Sequence, residues 1–95
     1  MAAYVIFDIK VTDPERFAQY RELAPSAIAA YDGKYLVRGG ATEILEGSWV
    51  PNRVVVLEFP TVERAKQWLD SPEYREARAL RHLATTTDAI AVQGV

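Results

Sequence analysis

The sequence predicts an α+β domain of the ferredoxin-like type. This fold is a four-stranded antiparallel sheet in βαββαβ order with the helices on one face. Two strand-like runs, residues 34–40 and 53–59, form one long hairpin in the middle of the chain. A strand and a helix precede this hairpin, and helices and a strand follow it. A length of 95 residues is that of one domain, so residues 1–95 are expected to share a single core.

Composition and charge narrow the function classes. The chain has no cysteine, which excludes disulfides, thiolate metal sites and a cysteine nucleophile. The net charge of -2, with mixed signs, argues against a nucleic-acid surface. The first residues lack the pattern of a signal peptide, and no run approaches the ~20 apolar residues that span a bilayer. We therefore expect a soluble, cytoplasmic protein with no nucleic-acid or membrane partner, no metal and no cofactor.

Strand alternation, a helix cap, two prolines and a glycine predict the elements in the first half of the chain. Residues 4–11 alternate between apolar and mixed positions, which predicts the first strand. Asp13 and Pro14 then act as N-cap and first helical residue, because proline has no N–H to lose at that position. Pro25 should kink or restart this helix, and Gly33 should close it.

The second half starts with the hairpin. Its first strand, residues 34–40, ends at a Gly-Gly step that permits a bulge or bend, and residues 41–46 should continue extended. Thr61 caps the next helix, and Pro72 starts a second helical piece. Residues 85–95 form the last strand.

Glu58 is the sharpest chemical signal, because it interrupts an otherwise apolar strand of the sheet interior. A carboxylate there needs a partner or a wet cavity, and Arg38 in the neighbouring strand is the expected partner. Period-two alternation places Asp8, Arg38 and Glu58 on the sheet face that the helices leave open. Tyr35 and Val37 are expected on the helix-covered face.

The open face is otherwise apolar, which usually marks an interface, and two such sheets packed face to face make a symmetric dimer. The candidate interface residues are Ile6, Leu36, Trp49, Val54 and Val56. Trp49 is included because a large aromatic side chain in a turn either folds back onto its own domain or is held by a partner subunit.

The run YLVRGGATEILEGSWVPNRVVVLEFP, followed by WLDSPEYREARALR, resembles the family called domain of unknown function 1330, in the dimeric α/β-barrel group. The resemblance covers nearly the whole chain. Its most specific parts are Arg38-Gly39-Gly40, Glu43 to Glu46, Glu58-Phe59-Pro60 and Ser71-Pro72-Glu73-Tyr74. It implies a homodimer in which two sheets form a barrel, without an established activity. Relatives on this fold include cofactor-free monooxygenases, haem-degrading enzymes, lactone isomerases and stress-responsive barrels, and fold alone transfers none of these functions.

The catalytic candidates are Asp8, Arg38, Glu58 and His82. An arginine can hold a substrate carboxylate and an acid can move a proton, whereas a structural ion pair explains the same pattern without chemistry. His82 is the single histidine, and a histidine beside arginines on a helix is more often solvated than catalytic. No Ser/His/Asp constellation, histidine pair or phosphate-binding glycine loop is recognisable.

The ligand-binding candidates are Tyr20, Arg38, Glu58 and Trp68, although Trp68 also fits the apolar stripe of its helix. We expect the protein to bind a small organic molecule between sheet and helices or in the dimer interior, with a cofactor-independent enzyme as one form of this function. The first alternative is a non-catalytic structural or interaction homodimer. The lesser alternative is a haem-binding or haem-degrading protein. Haem-degrading relatives on this fold use a histidine ligand with a nearby tryptophan and asparagine. This chain has His82 and Trp68, but its first strand offers Asp8, which weakens this alternative. A ligand-sized cavity beside Arg38 would favour binding, and a filled, ion-paired interior would favour a scaffold.

Overall fold

One antiparallel sheet carries three helices on one of its faces in the computed structural model, which describes residues 1–95. The elements are β1 (Ala3–Val11), α1 (Pro14–Ala30), β2 (Lys34–Arg38), β3 (Val54–Phe59), α2 (Val62–Leu69), α3 (Arg75–Ala84) and β4 (Thr85–Gln93). The strand order is β2-β3-β1-β4, with every neighbouring pair antiparallel. The predicted ferredoxin-like fold is confirmed, and the two alternating strands with the strongest pattern, β1 and β3, form the centre of the sheet.

Side-chain caps start the first two helices. The Asp13 carboxylate accepts a hydrogen bond from the Arg16 N–H at 3.2 Å, and the Thr61 hydroxyl accepts one from the Arg64 N–H at 3.0 Å. The third helix begins at Arg75, three residues after the predicted start at Pro72. None of the three helices is long and apolar enough to cross a membrane.

Pro25 lies inside α1, which continues through it as one helix, so the alternative of a restart near Ala24 is wrong. Proline cannot donate to the carbonyl four residues earlier, that of Arg21. The Arg38 guanidinium supplies the missing donor, with Nη2 3.2 Å from the Arg21 oxygen. A contact from another part of the chain therefore replaces the bond that Pro25 removes.

The C-terminus of α1 differs in detail from the prediction. Asp32, with φ +65°, adopts the left-handed conformation that was expected of Gly33. Gly33 is required for space instead, because a Cβ there would lie 2.6 Å from the Phe59 ring. The turn thus brings α1 directly against the end of β3.

A bulge in β2 changes which face its last residues occupy. Tyr35 lies opposite Leu57, but Val37 lies opposite Val56, so β2 holds one extra residue, Leu36. Val37 therefore lies on the open face, contrary to the prediction. Each later β2 residue is likewise moved to the face opposite the one that simple alternation assigns.

The core lies between the sheet and the helices. Its strand members come from alternate positions of β1 and β3, as expected for a sheet with one covered face. The largest fully buried side chains are Trp68, Tyr74, Phe59, Ile28 and Leu57. The Trp68 ring lies 4.3 Å from that of Tyr74 and 5.3 Å from that of Phe59 on β3, measured between centroids, so aromatic packing holds α2 and the turn after it to the sheet.

Residues 39–53, called the arm below, join β2 to β3 and contain no regular strand, so residues 41–46 do not lengthen the sheet. Asp8 holds the arm to the sheet. Its carboxylate accepts hydrogen bonds from Trp49 Nε1 at 3.1 Å and from the Asn52 N–H at 2.8 Å.

Candidate functional site

The predicted partnership of Arg38 and Glu58 is wrong. Arg38 lies opposite Val55, whose side chain is buried under the helices, whereas Glu58 lies on the open face. The cause is the extra residue at Leu36, which moves Arg38 to the helix side. Glu58 pairs instead with Lys34, Nζ to Oε2 at 3.0 Å. Asp8, Arg38 and Glu58 therefore do not form one site.

On the open face, the Asp8 carboxylate is occupied by hydrogen bonds to the arm. The N–H of Asn52 and the indole N–H of Trp49 lower the pKa of its carboxyl, because both donors favour the charged form. Asp8 also lies opposite Asp88 of β4. Its two hydrogen bonds to the arm show that Asp8 fixes the position of Trp49.

The largest cavity between helices and sheet, which we call the Arg81 cavity, has a volume of about 300 Å³ and lies between α2, α3 and the β1–β4 pair. Its lining includes Phe7, Trp68, Leu69, Arg78, Arg81 and His82. This volume is at the lower end of the range for small-molecule sites, which is roughly 300–1,000 Å³. Most of the lining is apolar, and the polar lining residues are Arg78, Arg81 and His82 of α3, Lys66 of α2 and Thr87 of β4.

Arg81 is the unusual group of this cavity. It is only 6% exposed, and no ion pair or side-chain hydrogen bond satisfies its guanidinium. Its one favourable contact is with Phe7, whose ring centroid lies 5.4 Å from Cζ. A buried charge without a partner is costly, and an anion in the cavity would compensate it.

Two further buried donors belong to residues that line the same cavity. Trp68 is 1% exposed and its Nε1 has no partner. Arg78 donates from Nη1 to Asp70 Oδ1 at 2.9 Å and to the Leu69 oxygen at 3.2 Å, while its Nε is buried and unpaired. Three residues that line this cavity therefore carry buried N–H groups without acceptors, and donors of this kind suit a ligand with anionic oxygens.

His82 lies at the rim of the Arg81 cavity. Its pKa is lowered, first by burial and then by the charges of Arg81 and Arg78. The imidazole is consequently neutral at pH 7 and can accept a proton. The predicted candidates Trp68 and His82 line one cavity, although they do so apart from the other predicted residues.

Tyr20 and Arg38 line a second, smaller space, called the α1 cleft below, which lies between α1 and the sheet and also contains Arg21, Tyr35 and Arg53. The Tyr20 hydroxyl is 2.7 Å from that of Tyr74, and burial raises the pKa of Tyr20, so this phenol stays protonated.

Sequence reasoning missed Arg81 and Arg53, although both carried a signal. Arg81 lies four residues after Ala77 and three before Ala84, which places a charge on the buried stripe of α3. Arg53 precedes Val55 by two positions, so strand alternation extends the helix-covered face of β3 to it. A charge on an apolar stripe was recognised at Glu58 but not at these positions.

The chain contains no group of three His, Cys, Asp or Glu side chains that could hold a metal ion. A family model, "Domain of unknown function (DUF1330)", matches residues 2–95. Curated protein sequences give no significant match.

Several solved structures share the fold. The RPA0582 protein of unknown function from Rhodopseudomonas palustris is 19% identical, with a TM-score of 0.81 over 99% of this chain and 82% of that one. SnoaB, a cofactor-independent oxygenase from Streptomyces nogalater, is 11% identical, with a TM-score of 0.64 over 99% and 92%. A dimeric ferredoxin-like protein of unknown function from Thermobifida fusca is 13% identical, with a TM-score of 0.59 over 99% and 92%. At these identities the similarity establishes the fold alone.

Proposed function

The chain belongs to the DUF1330 family, and we propose that it binds a small organic anion in the Arg81 cavity. The proposal rests on one observation above all: Arg81 is buried, charged and without a partner at the wall of a ligand-sized cavity. An anionic oxygen at Arg81 would compensate that charge and could also accept from Trp68 Nε1 and Arg78 Nε. The apolar lining selects a ligand whose remaining part is apolar, such as an aromatic acid or a phenolate.

A fluorescence titration tests the proposal. In a Trp49→Phe background Trp68 is the single tryptophan and reports on the cavity. We expect benzoate or 2-naphthoate to change its emission saturably, and the uncharged benzamide to bind at least about tenfold more weakly. Arg81→Met keeps the aliphatic stem but removes the charge, so it should weaken carboxylate binding by a similar factor.

Arg75→Met is the matched control, because Arg75 is an exposed arginine of the same helix without an ion pair. It should bind the acids as the wild type does. Equal binding of benzoate and benzamide, or unchanged binding by Arg81→Met, would contradict the proposal.

An enzymatic role is a second candidate, favoured by the position of His82 in the lining of the Arg81 cavity, next to Arg78 and Arg81. A neutral imidazole could take a proton from a phenol or an acidic carbon of the ligand, and Arg81 would stabilise the anion that results. SnoaB, which shares the fold, is described as a cofactor-independent oxygenase, so oxygen consumption with a naphthol is the assay of choice. His82→Gln should abolish turnover and retain binding; turnover unaffected by this change would exclude His82 as the base.

We also propose that the protein is a homodimer built through its open sheet face. Most of its large exposed apolar side chains lie on this face or on the arm, including Leu36, Ile90 and Val92 at 50%, 62% and 43% exposure. A monomer would leave this apolar area in water. The structurally similar protein from Thermobifida fusca is described as dimeric, which supports a dimer for this chain. If the Arg81 cavity binds no anion, a structural or interaction homodimer is the function that remains.

A further inference from the structure

Three arginines meet in the α1 cleft, on the helix side of the sheet, where the side chain of Phe7 lines both this cleft and the Arg81 cavity. Arg21 comes from α1, Arg38 from the end of β2, and Arg53 from the residue before β3. None of the protein's ion pairs includes any of them. We propose that this arginine cluster is a second binding site, one that takes a compact dianionic oxyanion of the phosphate class.

Arg38 is placed by three independent features. The bulge at Leu36 turns it to the helix side, and Pro25 leaves the Arg21 carbonyl free to accept from Nη2 at 3.2 Å. The guanidinium also lies over the Tyr35 ring, with Cζ 4.6 Å from the centroid. An exposed arginine that is held in this way loses little further freedom on binding an anion, which favours affinity.

Arg53 is placed by a glycine and by an aromatic ring. Gly39 has φ +74°, and a Cβ at this position would lie 2.4 Å from Arg53 Cζ, so the guanidinium occupies space that any other residue would fill. The Phe17 ring centroid lies 5.5 Å from the same atom. Arg53 Nη2 is 3.5 Å from the Arg38 oxygen, and Nε is buried without an acceptor. The missing side chain of Gly39 thus leaves room for the Arg53 guanidinium and also permits the positive φ of the turn.

The charges in the cluster repel one another. Burial, followed by the charges of Arg21 and Arg38, lowers the pKa of Arg53, as expected where cations crowd together. An anion bound among the three guanidiniums would remove this repulsion and accept from their free N–H groups, of which each guanidinium has five in total.

The size of the cleft limits the ligand. Its free volume is about 20 Å³, close to that needed for a single water molecule, so a whole phosphate would lie at the mouth of the cleft, against the exposed Arg21 and Arg38, and only a compact group fits there. A dianion matches three positive charges better than a monocarboxylate does. Inorganic phosphate and the phosphate of a phosphomonoester share this chemistry, and the body of an ester would remain outside the cleft.

The test is calorimetric titration with inorganic phosphate and with glycerol 3-phosphate, at constant ionic strength maintained with sodium chloride. The wild type should bind at least one of them saturably, and the tighter of the two identifies the free ion or the ester as the ligand type. Arg38→Met and Arg53→Met should each weaken binding about tenfold or more. Arg75→Met, an exposed arginine outside the cleft, should not change it.

Pro25→Ala separates a binding role from a merely structural one. Alanine restores the N–H that competes with Arg38 for the Arg21 oxygen, so this variant should melt at a higher temperature and yet bind phosphate more weakly. A structural role alone would raise the melting temperature without changing the affinity.

Three results would overturn the second site. The first is the absence of saturable binding of either phosphate by the wild type. The second is unchanged binding by both Arg38→Met and Arg53→Met. The third is loss of binding in Arg81→Met together with its retention in Arg38→Met, which would locate the anion in the Arg81 cavity. Phosphate binding that survives Arg81→Met supports the second site whether or not the Arg81 cavity binds organic acids.

Discussion

Lys34 Nζ lies 3.0 Å from Glu58 Oε2, across β2 and β3 on the open face of the sheet. Arg38 lies on the other face, so the charge that was expected to neutralise Glu58 instead belongs to the arginine cluster. The Lys34 side chain is 68% exposed and that of Glu58 24%, which means that water screens the pair. We expect the pair to set local geometry more than stability.

A double-mutant cycle in urea tests this relationship. Lys34→Met and Glu58→Gln should show a coupling free energy of about 0.5 kcal/mol, the usual value for an exposed ion pair. Arg38→Met and Glu58→Gln should show none, since the residues lie on opposite faces. A coupling above about 1 kcal/mol between Arg38 and Glu58 would mean that the bulge at Leu36 is absent in solution.

Arg81→Met should stabilise the ligand-free protein. The substitution removes a buried charge without a partner and keeps most of the packing, at the loss of one contact with Phe7. We expect a gain of about 1 kcal/mol, seen as a rise of roughly 4–8 °C in the melting temperature. Arg75→Met should leave the melting temperature nearly unchanged. A lower melting temperature for Arg81→Met would show that the guanidinium is already satisfied without a ligand.

Val56→Asp should break the proposed dimer. Val56 lies in the middle of the open face, opposite Ile6 on β1 and Val37 on β2, so a carboxylate there would be buried and unpaired in the interface. Sedimentation at micromolar concentration should show a dimer for the wild type and a monomer or unfolded chain for the variant. Leu83→Asp makes the same change at an exposed position of α3 and should stay dimeric. A monomeric wild type would disprove the interface.

Acid should release the arm through Asp8. Hydrogen bonds from Asn52 and Trp49 lower the pKa of this carboxyl below its ordinary value of 3.8. The native state thus binds this proton less readily than the unfolded chain does. The stabilising contribution is therefore complete above pH 3.8 and is lost as the pH falls through the lower folded value.

The indole N–H resonance of Trp49, assigned with Trp49→Phe, reports this step by NMR. We expect the resonance to move at a pH below 3.8, and to be already shifted at pH 7 in Asp8→Asn. Asp88→Asn, opposite Asp8 on β4, lacks bonds to the arm and should leave it unchanged at pH 7. A Trp49 resonance that is the same in Asp8→Asn and the wild type would contradict the role of Asp8.

The element order was predictable because its signals are local. Alternation over β1 and β3 reflects a period of two that any strand with one covered face must have. Asp13 and Thr61 predict the starts of two helices, because the first N–H groups of a helix need acceptors. These signals were sufficient for the ferredoxin-like fold and for an apolar open face.

The candidate site was predicted only in part. Trp68 and His82 line the Arg81 cavity, and Tyr20 and Arg38 line the α1 cleft, but neither grouping followed from the pattern. Which residues share a cavity depends on how helices pack on the sheet, and this packing involves contacts between residues far apart in the chain.

The sequence by itself determined which segments are strands and helices, since caps and periodicity act within a few residues. Only the tertiary structure decided the partner of Glu58 and the face of Arg38. The physical reason is the single extra residue at Leu36: leucine at a bulge gives no signal that distinguishes it from leucine in a regular strand, yet a shift of one residue reverses the face of every side chain that follows. The same shift brings Arg38 to the Arg21 carbonyl that Pro25 leaves free. The proline in α1 and the bulge in β2 are therefore linked by one hydrogen bond, which exists only in the folded chain.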